Sequence, residues 1–96
     1  MTIVYLVTAR DDLIWMRRYY SRIFPAGEIQ ARKHFRLAES ILVQNPEIGH
    51  SIEVDGLREL VIPRTPFSFI YRLKNNRIEV LRLWDSRADR STIART

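Results

Sequence analysis

The chain has 96 residues, of which 46% are hydrophobic, and this length suits one compact domain. It contains no cysteine, which excludes disulfides, thiolate metal sites and a cysteine nucleophile. The formal net charge of +5 favours an acidic partner, either nucleic acid or an acidic protein segment, although a purely solvating basic surface would give the same charge.

The sequence also favours a cytoplasmic protein. It has no run of about 18 apolar residues, so we expect no membrane-spanning helix. Its first residues lack the basic start, apolar stretch and small-residue cleavage site of a signal peptide. Small secreted domains are commonly stabilised by disulfides, which this chain cannot form. We therefore predict a single cytoplasmic domain over residues 1–96.

The N-terminal half predicts one strand followed by two helices. Residues 2–7 form a β-rich run, and Thr8-Ala9-Arg10-Asp11 has the form of a capping box that starts the first helix. That helix carries apolar residues at helical spacing, namely Leu13, Met16, Tyr20 and Ile23. The second helix is predicted over residues 28–44, because Asn45-Pro46 ends it. The short break at residues 25–27 predicts an antiparallel helical hairpin.

The C-terminal half predicts three strands, over residues 57–62, 67–74 and 77–84. Asn75-Asn76 separates the last two, and asparagine tolerates the positive φ angles of a type I′ turn. The predicted order is β-α-α-β-β-β. This order favours an α+β fold of two layers, with the helical hairpin packed on an antiparallel sheet.

The two-residue turn also predicts which residues face each other across the hairpin. With Lys74 opposite Arg77, Arg72 lies opposite Glu79 and should form a cross-strand ion pair. The same register predicts four further pairs: Leu73 with Ile78, Tyr71 with Val80, Phe69 with Arg82, and Phe67 with Trp84. The shared face is strongly apolar, so we expect it to pack on the helices. The opposite face would then carry Ser68, Ile70, Leu81 and Leu83.

The element order and a series of local motifs resemble the RelE/ParE toxin superfamily, in particular its ParE-like branch. Residues 45–49, Asn-Pro-Glu-Ile-Gly, resemble the family's Asn-Pro-x-x-Gly turn. Residues 56–60, Gly-Leu-Arg-Glu-Leu, resemble its Gly-x-Arg-Glu-Leu strand. Residues 69–72 resemble its aromatic–apolar–Tyr-Arg strand, residues 77–84 its last strand, and residues 86–90 the basic tail that follows.

The resemblance implies a plasmid-stabilisation or chromosomal toxin of a type II toxin–antitoxin system. Such toxins are encoded beside a small antitoxin that wraps and neutralises them. RelE-like members cut mRNA in the ribosomal A site, whereas ParE-like members poison DNA gyrase and have no chemistry established at family level. No cofactor is implied, and a toxin–antitoxin hetero-oligomer is expected.

The positions that carry RNA cleavage in RelE-like members hold unsuitable residues here. Those members place basic residues on the sheet face away from the helices and a tyrosine near the C-terminus, which together supply the base, cations and acid of the reaction. The corresponding positions here fall on Glu59, Val61, Ser68 and the region of Ala94. We therefore expect a gyrase inhibitor that acts by binding. A ribosome-dependent mRNA endonuclease and a non-toxic basic binding domain are the alternatives.

Two sets of residues are candidate binding sites. The family's antitoxins bind through a C-terminal segment, often an amphipathic helix plus a strand that pairs with a sheet edge. The candidates for an apolar antitoxin groove are Val61, Ile70, Leu81 and Leu83, with Arg72 and Arg82 at its rim, unless a tail or dimer contact covers them. The candidates for target binding are Trp84, Arg87 and Arg90.

No metal site is predicted. His34 and His50 lack a second ligand at suitable spacing. Two further patterns have a functional and a structural interpretation. Trp15 and Tyr19 form either a partner-binding ridge or a packing contact. Arg17, Arg18 and Arg22 form a basic helical face that either steers the protein to DNA-bound gyrase or is simply solvated.

Overall fold

The computed structural model describes residues 1–54 and 56–87. Its elements are β1 (Thr2–Tyr5), α1 (Val7–Arg22), a 3₁₀ turn (Pro25–Gly27), α2 (Glu28–Gln44), β2 (His50–Ser51), β3 (Arg58–Val61), β4 (Phe67–Lys74) and β5 (Arg77–Asp85). The two helices pack on one face of a five-stranded sheet, which confirms the predicted two-layer α+β fold. β2 is a two-residue strand that the sequence pattern does not indicate.

The strands lie in the order β1-β5-β4-β3-β2. β1 runs parallel to β5, and the other neighbours are antiparallel, so the sheet is mixed rather than purely antiparallel. The two helices carry the chain back across one face of the sheet, and this crossing allows β1 to lie parallel to β5. The backbone pairing with β1 ends at Val80 of β5, whose carbonyl accepts the Leu6 amide at 3.0 Å.

The turn between β4 and β5 confirms the prediction made from its two asparagines. The φ angles of Asn75-Asn76 are 56° and 58°, as a type I′ turn requires. The predicted register is confirmed from Lys74 opposite Arg77 as far as Tyr71 opposite Val80.

A β-bulge at Leu81 then shifts the register by one residue. Beyond it the pairs are Ile70 with Arg82, Phe69 with Leu83, Ser68 with Trp84, and Phe67 with Asp85. The predicted partners of Phe69 and Phe67 are therefore wrong. Because successive side chains of a strand point to opposite faces, the extra residue exchanges the faces of everything after it. Leu83 turns towards the helices, whereas Trp84 turns away from them.

The predicted capping box does not form. α1 begins at Val7 without a side-chain cap, and the Thr8 hydroxyl instead donates to the Leu81 carbonyl at 2.7 Å. One helical turn later, the Asp12 carboxylate accepts the Leu83 amide at 3.0 Å. Side chains of α1 thus satisfy the outer edge of β5 beyond the point where β1 ends, which blunts an exposed strand edge.

The main core lies between the helices and the sheet. Its largest buried side chains are Leu42, Ile62, Phe67, Phe69, Tyr71, Ile78 and Val80. A second, smaller cluster occupies the other face of the sheet, where Leu57, Ile70 and Trp84 are buried together beneath Ile52 and Val54. Ile52, Val54 and Leu57 therefore cover part of the face that we expected to be open.

Tyr71 ties the turn after α2 to the sheet. Its buried hydroxyl donates to the Pro46 carbonyl at 2.8 Å and accepts the Gly49 amide at 2.9 Å. Glycine is required at position 49, since a Cβ atom there would lie 2.6 Å from the Tyr71 hydroxyl. Arg58 adds hydrogen bonds to the carbonyls of Glu47 and Gly49. The close contact with Tyr71 explains the glycine of the Asn-Pro-x-x-Gly pattern.

Candidate functional site

The predicted antitoxin groove on the outer face of the sheet is mostly filled by the protein itself. Ile70 is fully buried against Leu57 and Trp84, and Leu83 lies in the main core on the opposite face. Leu81 is half-buried, and only Val61, with 53% of its surface exposed, is openly accessible. The four residues therefore do not form one continuous apolar groove.

The two predicted rim arginines have internal partners. Arg72 donates to Glu79 at 2.8 Å, which confirms the predicted ion pair. Arg82 makes two hydrogen bonds to the Asp12 carboxylate, at 2.7 and 3.0 Å, and its guanidinium lies 5.1 Å from the centre of the Trp84 ring. Arg82 thus links α1 to β5, and most of it is shielded from solvent.

The predicted target-binding residues differ in their accessibility. Trp84 is buried, and Arg90 lies outside the described residues. Arg87 is accessible, with 58% of its side chain exposed, and it bonds to Asp85 while lying over the Tyr19 ring at 5.4 Å. Those hydrogen bonds hold the pKa of the Asp85 carboxyl below its ordinary value. The pair keeps Arg87 in one orientation on the surface of α1.

Trp15 is an exposed aromatic residue beside Tyr19, the residue whose ring Arg87 covers. Its ring stacks on Tyr19 at 5.5 Å and meets Phe67 edge-on, which is the packing contact that the sequence offered as one interpretation. One side of the ring packs on the protein, while about half of the residue stays exposed.

A groove of about 770 Å³ between α1 and α2 is a surface that sequence reasoning missed. Its apolar lining includes Leu13, Met16, Tyr20, Ala31 and Phe35, and its arginines are Arg17, Arg18, Arg22, Arg32 and Arg36. The signal was present as the apolar stripes of both helices, but we assigned those stripes entirely to the core. Concave apolar surfaces are common binding sites.

The charge of this groove is unbalanced. Glu28 is paired with Arg32 at 2.8 Å, and Glu39 accepts a hydrogen bond from the Tyr5 hydroxyl. Burial, together with Glu39, raises the pKa of Tyr5, so its hydroxyl stays protonated. Within the part of the chain that the structure describes, the other four arginines of the groove form no ion pair. The groove therefore presents a positive rim around an apolar floor.

Comparison with known proteins identifies the family. The sequence profile of the ParE toxin of the type II toxin–antitoxin system parDE matches residues 3–90. The chain belongs to the ParE toxin family. It is also similar in structure to a chain of the chromosomal ParDE toxin–antitoxin system from P. aeruginosa, with a TM-score of 0.69 and 30% identity over 86% of this chain and 92% of that one. No curated protein sequence matches it. The protein is thus a ParE-type toxin of a type II toxin–antitoxin system, a class whose partner is an antitoxin.

In this ParE-type toxin, the positions that correspond to RelE-like cleavage residues are largely inaccessible. Glu59 is 1% exposed and lies 3.2 Å from His50, while Ser68 is equally buried. Val61 is exposed but apolar, and Ala94 lies outside the described residues. A buried carboxylate repels a phosphate instead of stabilising the charge that develops on it.

Among residues 1–54 and 56–87, no group of three or more histidine, aspartate or glutamate side chains is placed to hold a metal ion. Over the same residues, no helix has the length and apolar character needed to cross a membrane.

Proposed function

We propose that this ParE-type toxin arrests growth by binding and inhibiting DNA gyrase, and that a cognate antitoxin neutralises it. Family membership supports the toxin class. The observation that favours gyrase over mRNA is the outer face of the sheet, where Glu59 and Ser68 are buried and Ile70 is covered by Ile52, Val54 and Leu57. RNA cleavage there would need an accessible base, cations and an acid around one phosphate.

The direct test induces the toxin in cells and follows the synthesis of DNA and of protein. DNA synthesis and protein synthesis are measured separately before growth stops, together with an SOS reporter. We expect DNA synthesis to fall first, with filamentation and SOS induction. Purified toxin should then inhibit supercoiling by purified gyrase and increase gyrase-dependent DNA cleavage.

Other orders of events would contradict the proposal. If protein synthesis falls first and mRNA is cut at ribosomes, the protein is an endonuclease and Glu59 and Ser68 have been misinterpreted. If induction leaves growth and both syntheses unchanged, the protein is a non-toxic binding domain.

Arg87 is the accessible member of the predicted target-binding set, and we propose that it contacts gyrase. Its guanidinium is oriented by Asp85, and arginine is frequent among the residues that dominate binding energy at interfaces. Arg87→Ala should raise the toxin concentration needed for half-inhibition of gyrase by about tenfold or more. Arg10→Ala removes the same charge from exposed helix surface and serves as the matched control. Equal effects of the two variants would exclude a specific role for Arg87.

The groove between α1 and α2 suits the amphipathic helix by which antitoxins of this superfamily bind. An apolar helix face would cover the groove floor, and acidic residues would meet the unpaired arginines. Ile14 lines this groove and is exposed, so a charge there should disturb binding without disturbing the fold. Ile14→Glu should weaken binding of the co-expressed antitoxin at least about tenfold.

Ile29→Glu is the control for this experiment, because Ile29 is exposed on α2 but does not line the groove. The control should leave antitoxin binding unchanged. If both variants bind the antitoxin normally, the antitoxin uses another surface, and Val61 with the half-buried Leu81 becomes the next surface to test.

A further inference from the structure

Four charged side chains form a cluster at the turn end of the β4–β5 hairpin, on the face away from the helices. Glu79 lies at its centre with only 3% of its side chain exposed. Arg72 donates its Nε to Oε1 of Glu79 at 2.8 Å, and Arg77 donates Nε and Nη2 to Oε2 at 2.9 and 2.6 Å. Lys74 completes the cluster directly opposite Arg77. One buried carboxylate therefore holds two arginines side by side.

The cluster has more positive charge than its own structure needs. Either arginine alone would neutralise Glu79, and the second arginine together with Lys74 leaves two positive charges in excess. Lys74 and Arg77 also form a like-charge pair across the hairpin, and such pairs destabilise a sheet. Repulsion between these charges therefore destabilises the sheet locally, and a bound anion would offset that repulsion.

The two arginines are also prepared for binding. A guanidinium has five N–H donors, and Glu79 engages one from Arg72 and two from Arg77. The side chains remain 36% and 43% exposed, so their unused donors can reach a ligand. Because Glu79 already fixes both side chains, less rotamer freedom is lost when a ligand binds. The same hydrogen bonds hold the pKa of Glu79 below its ordinary value, which keeps the carboxylate ionised.

We propose that Arg72 and Arg77, positioned by Glu79, form a binding site for the phosphate groups of a DNA backbone. The planar fork of arginine matches phosphate oxygens, and contacts of this kind need charge and donors but no cavity. An acidic protein segment is less suited to this surface, because protein interfaces also bury an apolar centre. Neither the groove between the helices nor the small cleft beside Trp84 includes any residue of the cluster.

The test measures the affinity of the purified toxin for a double-stranded DNA of about 20 base pairs by fluorescence anisotropy at low salt. Arg77→Gln should weaken binding about tenfold. It should also reduce the slope of log affinity against log salt concentration by about one, the value for one phosphate contact. Arg72 still pairs with Glu79 in this variant, so the fold is retained, and circular dichroism checks that. Arg10→Gln removes the same charge from the exposed surface of α1, outside the helical groove, and its effect should stay below about twofold.

A second variant separates positioning from charge. Glu79→Gln makes the protein more positive, so an effect of net charge alone would tighten DNA binding. Loss of the fixed arginine pair should instead weaken it several-fold, even where urea denaturation shows a folded protein. Tighter binding by Glu79→Gln, or equal losses in Arg77→Gln and Arg10→Gln, would overturn the proposal.

An acidic protein ligand would give a different pattern. In that case Arg77→Gln would weaken binding of a polyglutamate peptide and leave DNA binding unchanged, which also rejects the DNA site. The measurements contain no gyrase, and this proposal does not rest on the gyrase proposal. Failure here would leave gyrase inhibition standing, and absence of gyrase inhibition would leave a DNA-binding result intact.

Discussion

Replacing Tyr71 with phenylalanine removes one oxygen atom that holds the turn after α2. The Tyr71 hydroxyl links the Pro46 carbonyl and the Gly49 amide, at 2.8 and 2.9 Å. Gly49 is buried, so water cannot replace the lost partner of its amide, whereas Pro46 is only half-buried. The ring of Tyr71 would stay in place in the core.

The expected loss in the free energy of unfolding follows from these two groups. Leaving one buried donor without a partner costs about 1–3 kcal/mol, and the Pro46 carbonyl adds little because solvent reaches it. We therefore expect Tyr71→Phe to destabilise the protein by about 2 kcal/mol. For a domain of this size, that loss lowers the thermal midpoint by roughly 10 °C.

Urea denaturation followed by far-ultraviolet circular dichroism measures this change. With a slope of about 1–2 kcal/mol per molar urea, the midpoint should fall by roughly 1–2 M. Tyr20→Phe is the matched control, since no hydrogen bond of the Tyr20 hydroxyl is found among the described residues, and it should shift stability by less than about 0.5 kcal/mol. If the two variants unfold at the same urea concentration, the hydroxyl does not hold the turn and the explanation of the Asn-Pro-x-x-Gly pattern is wrong.

Three further predictions use the same denaturation assay. Gly49→Ala should cost at least about 2 kcal/mol, because its Cβ atom would clash with the Tyr71 hydroxyl; a stability equal to wild type would refute the close contact. Asp12→Ala should cost about 2–3 kcal/mol, since it leaves the guanidinium of Arg82 and one β5 amide without partners, and Asp12→Asn should recover part of the loss by accepting that amide. The pKa of Glu79 is lowered in the folded state. Its contribution to the free energy of unfolding is therefore complete above the pKa of the unfolded state, near 4.5, and is lost as the pH falls through the pKa of the folded state. Acidification from about pH 5 to about pH 3 should therefore lower the urea midpoint less in Glu79→Gln than in the wild type; equal slopes would contradict the assignment.

The elements that sequence predicted well are those decided by a few adjacent residues. Asn75-Asn76 sets the hairpin turn because its side chains tolerate positive φ, and the bounds of α2 at residues 28–44 follow from the glycine before it and the proline after it. The family resemblance rests on the same local motifs, which explains why it gave the correct fold.

The errors arise where distant parts of the chain decide the outcome. The alternation of Leu81, Arg82, Leu83 and Trp84 fits a strand in either register, and only packing against the helices selects the bulge. Thr8 has a capping sequence, but its hydroxyl bonds to a carbonyl 73 residues away. For the site, the outward position of Ile70 predicts exposure, because no local pattern shows that Ile52, Val54 and Leu57 pack over it and over Trp84.

The pairing of β1 with β5 has a consequence for how the toxin is made. It places Thr2 beside Arg77, and β5 lies between β1 and β4, so the sheet stays in two separate parts until the last strand joins it. Contacts between such distant residues slow folding, because a long loop must close before they form. A nascent chain on the ribosome therefore has helices and partial hairpins but no complete sheet. The toxin acquires its folded surface only after β5 has been synthesised, and fragments that lack β5 should be harmless to the cell.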